Sequence, residues 1–135
     1  MTSKTNEVPF RNFAPEIVRQ RLVIEGLVSE PLTEKFIYDL LIDLSEELNM
    51  HMVDIPLIRR VKDYGYCGFM NWTESGCHFY TYQAAAEKAA KGGSSYQELF
   101  TLDIYTCKKF DPVQAANFVA ICMDEYLITI DWKEV

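Results

Sequence analysis

A chain of 135 residues is about one domain long, and 49% hydrophobic with 24% charged residues is a globular composition that can fill one core. The net charge of -7 argues against nucleic acid or an anionic membrane as a partner, because both demand a basic surface. No apolar run approaches the roughly 20 residues that cross a bilayer, and the polar start MTSKTNEVPF lacks the apolar segment of a signal peptide. Cys67, Cys77, Cys107 and Cys122 are widely spaced with no C-x-x-C pair, so a cytoplasmic, reducing setting with free thiols is expected.

In chain order, residues 1–14 read as a flexible polar arm, and 15–135 as one domain. Ile17 to Gly26 is rich in β-formers and reads as the first strand. Thr33 is a plausible N-cap for a helix over Lys35 to Asn49, where Phe36, Leu40, Leu41, Leu44 and Leu48 recur at helical spacing. Met52 to Val61 predicts a second strand, placed at an edge or bulge by Pro56. A turn at Asp63-Tyr64-Gly65 leads to a third strand, Cys67 to Thr73, and Cys77 to Gln83 alternates as a fourth. Ala84 to Ser95 reads as an inserted alanine-rich helix closed by Gly92-Gly93. Glu98 to Cys107 alternates as a fifth strand, and Asp111-Pro112 opens a second long helix to about Asp124. Leu127 to Trp132 is the sixth strand. This order predicts an α+β fold: a two-layer α/β sandwich, with a mostly antiparallel sheet and both long helices on one face.

By composition alone, Trp72-Thr73-Glu74-Ser75-Gly76-Cys77-His78 is a turn between two strands. Ser75 has no G-x-S-x-G elbow around it, so a hydrolase triad is not indicated. His51, His78 and Cys77 do not complete a ligand set at suitable spacing, and no metal is expected. Gly92-Gly93-Ser94-Ser95 lacks the lysine of a phosphate loop.

Over about residues 16–132 three patterns in order resemble the short, prokaryotic-type, pyruvoyl-dependent S-adenosylmethionine decarboxylases. They are Glu74-Ser75 followed by Phe79-Tyr80-Thr81-Tyr82, then Leu102-Asp103-Ile104-Tyr105-Thr106-Cys107, then Asp111-Pro112 opening the last helix. The resemblance implies self-cleavage between Glu74 and Ser75, with Ser75 becoming a covalent pyruvoyl cofactor. That group would hold the substrate amine as a Schiff base and accept the electrons left by departing carbon dioxide. By position, Cys107 would be the proton donor, Tyr80 stands where the family has its processing histidine, and His78 is a possible substitute. Tyr82 replaces a tryptophan as an aromatic substrate contact. The ribose-binding glutamate matches Ala84, which leaves Glu87 to compensate. The implied function is S-adenosylmethionine decarboxylation in spermidine synthesis by a homodimer of processed protomers acting on a small-molecule substrate. The alternatives are a pyruvoyl decarboxylase for ornithine or arginine, and an uncleaved, non-catalytic homologue.

Overall fold

The computed structural model describes residues 8–83 and 97–135. The expected Ala84–Ser95 helix, with Glu87, lies outside the described residues. The elements are β1 (Gln20–Val28), α1 (Glu34–Glu47), β2 (Leu57–Val61), β3 (Gly65–Trp72), β4 (Ser75–Tyr82), β5 (Glu98–Thr106), α2 (Pro112–Cys122) and β6 (Leu127–Glu134). The strands form one six-stranded sheet in the order β2-β3-β4-β5-β1-β6, and every neighbouring pair is antiparallel. The class is therefore α+β.

Both helices start where the sequence places their caps. Thr33 accepts a hydrogen bond from the Phe36 amide, and Asp111 accepts one from the Val113 amide with Pro112 following it. Strand bounds differ more. The first strand begins at Gln20, not Ile17, and runs past Gly26 to Val28. Gly26 does not end it: the glycine lies under the Phe100 ring, where a Cβ would collide. Of the expected Met52–Val61 strand only Leu57–Val61 forms, because Pro56 carries no amide for a ladder, and Met52 makes a lone bridge to Trp72. The fourth strand begins at Ser75, two residues before the apolar alternation reveals it.

Alternate strand residues feed one buried cluster. Leu22 and Ile24 of β1, Met70 and Trp72 of β3, Phe79 of β4, and Phe100, Leu102 and Ile104 of β5 meet Ile37, Leu41 and Leu44 of α1 and Ala115 and Val119 of α2. Each large side chain so buried contributes about 1.5–3 kcal/mol. Phe79 and Phe100 stack with centroids 5.7 Å apart. One polar contact crosses the cluster: Ser45 on α1 donates to the Leu41 carbonyl at 2.7 Å and accepts from Trp72 Nε1 at 2.7 Å. This fixes the last residue of β3 to α1. The residues between point outward, among them His78, Tyr80 and Tyr105, which are exposed.

Glu98, the first residue of β5, is fully buried. Its Oε1 accepts from the Leu32 amide at 2.9 Å, while Oε2 has no hydrogen-bond partner among the described residues. Burial pushes its pKa up; the Leu32 amide, the side chains of Gln83 and Thr81, and the Arg60 charge offset only part of this. A carboxyl with a raised folded-state pKa gives stability that is full below its unfolded value and lost as pH rises through the folded one. Glu98→Gln keeps the acceptor and cannot ionise. Its stability advantage over the wild type, read from urea midpoints, should grow as the pH is raised from about 4 to about 8; a pH-independent difference would exclude this origin.

Candidate functional site

Only Thr73 and Glu74 connect β3 to β4, since Trp72 and Ser75 already pair across the ladder. A two-residue hairpin normally obtains its twist from loop residues with positive φ. Here neither loop residue has one, and the positive φ falls on Ser75, at 119°. An L-residue held there costs on the order of 1–3 kcal/mol. The next residue, Gly76, has no room for a side chain, because a Cβ would run into the Met70 carbonyl.

Glu74 is held on three oxygens. The His51 amide donates to Oε1 at 2.9 Å, and His51 Nδ1 lies 2.6 Å from Oε2. The Glu74 carbonyl, on the peptide bond that precedes Ser75, accepts from the Cys107 amide at 2.9 Å. Hydrogen bonds from the His51 amide and then its ring favour the charged carboxylate and hold its pKa below the usual value. With its side chain 13% exposed, Glu74 is nearly enclosed, although the His51 side chain is 75% exposed.

Ser75 lines an open cavity of about 320 Å³ with Arg21, Met70, Asn71, Gly76, Cys77, His78, Asp103 and Tyr105. Arg21 grips Asp103 with two hydrogen bonds, Nε to Oδ1 at 3.0 Å and a terminal nitrogen to Oδ2 at 2.7 Å. That pair raises the guanidinium's pKa and leaves a fixed dipole on the cavity wall. Cys77 is buried, and burial pushes its thiol pKa well up, so it stays protonated and inert. Cys107 is exposed. No disulfide joins any of the four cysteines.

Of the residues singled out from the sequence, the fold gathers Glu74, Ser75, His78 and Cys107 at one end of the β4–β5 pair: Ser75 pairs with Thr106, and Cys107 follows it. Tyr80 is not on the cavity wall. It sits further along β4, between Cys67 on β3 and Thr101 on β5, with its ring centroid 6.3 Å from that of His78. Tyr82 is seven residues from Ser75 on the strand, roughly 23 Å away at about 3.3 Å per residue. Ala84 and Glu87 lie outside the described residues. Sequence reasoning passed over Arg21, gave Asp103 no role beyond its place in the Leu102–Cys107 pattern, and weighed His51 only as a metal ligand. A charged residue at an outward position of an apolar strand was the available signal for the first two, but only the register brings them together. Among the described residues no three His, Cys, Asp or Glu side chains gather as metal ligands, and no helix is long and apolar enough to cross a membrane.

If Ser75 carries backbone strain, Ser75→Gly should stabilise the chain relative to Ser75→Ala by about 1 kcal/mol, because glycine accepts a positive φ and alanine resists it. Neither variant has the hydroxyl, so urea denaturation compares the backbone effect alone. An alanine variant at least as stable as the glycine variant would show an unstrained site.

A protein-family model described as S-adenosylmethionine decarboxylase matches residues 25–126. The match runs from the second half of β1 to just past the end of α2 and includes the whole hairpin, Ser75 and Cys107. The chain belongs to that family. No curated protein matches the sequence.

Proposed function

We propose that this member of the S-adenosylmethionine decarboxylase family cleaves itself between Glu74 and Ser75 and decarboxylates S-adenosylmethionine, supplying the aminopropyl donor for spermidine synthesis. The observation that carries the reading is the coincidence at one peptide bond of a strained serine, a carbonyl already accepting a hydrogen bond, and an exposed cysteine. Ser75 Oγ adds to the Glu74 carbonyl carbon. The C–N bond breaks, its nitrogen takes the hydroxyl proton, and an ester remains. Removal of the Ser75 Cα proton breaks the Cβ–Oγ bond and releases Glu74 with a new C-terminal carboxylate. Water then hydrolyses the resulting enamine, releasing ammonia and leaving a ketone at residue 75. Release of the positive φ favours the first step, and the Cys107 amide stabilises charge that develops on the Glu74 oxygen.

A pyruvoyl group fits residue 75, which opens a strand on the wall of an open cavity and would become a new chain start there. When present, the group supplies the electron-accepting ketone that binds the substrate amine. Cys107 Sγ is the proton source for the product carbon. His78, on the cavity wall, and Tyr80 beside it are the side chains for proton handling during cleavage. Tyr82 and Glu87 are assigned to the substrate.

The architecture we propose is the two-layer sandwich, with both helices on one face. The single buried cluster and the Ser45–Trp72 contact support it. Residues 15–135 are proposed as the domain; of the expected arm over 1–14, residues 1–7 lie outside the described residues. Processed protomers are proposed to pair as homodimers, supported by the partly exposed aromatic side chains Phe69, Tyr80 and Tyr105 on the outward positions of the sheet. Sedimentation at the monomer mass would remove that last element.

A second reading, an uncleaved homologue, draws on the placement of Tyr80 away from the Ser75 cavity. Intact mass separates the two. The wild type should yield fragments 1–74 and 75–135, the second without a free amine, and Ser75→Ala should stay whole. Carboxyl-labelled S-adenosylmethionine should release labelled carbon dioxide, whereas release from ornithine or arginine instead would reassign the substrate. Cys107→Ala should cleave normally and lose about a hundredfold in turnover, the usual scale for removing a proton donor; unchanged turnover removes Cys107 from that role.

A further inference from the structure

We infer that His51 is a positioning residue for the scissile bond: it locks Glu74 so that the Glu74 carbonyl stays on the Cys107 amide within reach of Ser75. The inference rests on the self-cleavage reading and deepens it.

The chain leaves α1 through Asn49, whose φ is +55°, and the Met50 amide returns to the Ser45 carbonyl at 2.9 Å. The next residues run beside the end of β3. The Val53 amide donates to the Asn71 carbonyl at 2.9 Å, and the Thr73 amide donates to the His51 carbonyl at 2.8 Å. His51 is thus tied to the hairpin by its own backbone before its ring makes any contact. Its amide and Nδ1 then take both oxygens of the Glu74 carboxylate. An ionised carboxylate only accepts, so Nδ1 carries the hydrogen and Nε2 is left to solvent. On the other side, Lys108 Nζ donates to the Asn49 carbonyl at 2.7 Å, which fastens the segment after Cys107 to the same connection.

The first chemical step makes the Glu74 carbonyl carbon tetrahedral and loads charge onto its oxygen. A donor helps only if it is aimed at that oxygen throughout, and a misplacement of about 1 Å can cost up to about a hundredfold. With both carboxylate oxygens held by His51 and the carbonyl held by the Cys107 amide, the second residue of the loop is restrained from its side chain as well as its backbone. Because the imidazole is largely exposed, the charge of the pair is screened. The clamp therefore works through hydrogen-bond geometry, and a neutral donor at the same place serves as well.

The test follows cleavage of the full chain over time after cell-free synthesis, by denaturing gel at neutral pH. His51→Ala should slow cleavage about tenfold, the backbone amide still holding one oxygen. His51→Asn should recover most of the rate, since its amide nitrogen stands in for Nδ1. In a Ser75→Ala background both substitutions should leave the melting temperature within about 4 °C of the parent. Equal rates for the wild type and His51→Ala overturn the inference, as does an asparagine variant no faster than the alanine one, or a slow rate accompanied by a collapsed melting temperature. A wild type that never cleaves removes the self-cleavage reading and this inference together.

Discussion

Antiparallel strands joined by only two residues must find a compensating twist, and an L-residue with positive φ is an expensive place to find it. In this chain the conformation is imposed on Ser75 by its surroundings. Trp72, the last residue of β3, is fastened to α1 by the Ser45 hydroxyl. Gly76 is pressed against the Met70 carbonyl, and Thr106 pairs with Ser75 from the other side. With both neighbours fixed, the backbone between them has little freedom left. The core, the helix contact and the sheet register all converge on one strained residue.

That convergence also sorts the cysteines. Strand alternation turns Cys77 into the core, where burial keeps its thiol protonated, while Cys107 lies just beyond the end of β5, exposed and with its amide on the Glu74 carbonyl. Two thiols close to the same serine thus have opposite chemical prospects, and burial decides between them.

The helices, the caps and the alternation of β5 were legible in the sequence because they are local: Thr33, Asp111 and Pro112 act within a single turn, and Leu99 to Thr106 alternate without interruption. The glutamate–serine pair and the downstream cysteine were legible as a family resemblance. What escaped was non-local. Gly26 looks like a strand end until Phe100 is placed above it. Ser75 looks like a turn residue until its pairing with Trp72 and Thr106 makes it the first residue of a strand. Arg21 and Asp103 lie more than eighty positions apart and meet only through the β1–β5 register. His51 had no periodicity to announce it, and its place depends on a left-handed residue after α1.

The strand order has a mechanical consequence for a chain severed at the hairpin. Residues up to Glu74 supply β1, β2 and β3, while residues from Ser75 supply β4, β5 and β6. In the order β2-β3-β4-β5-β1-β6 the two pieces alternate, meeting along three seams, with β1 of the first piece wedged between β5 and β6 of the second. Such halves are interleaved like the fingers of clasped hands. They share one core, neither retains a complete sheet alone, and parting them is equivalent to unfolding. A break in the covalent backbone would leave the molecule as one mechanical object.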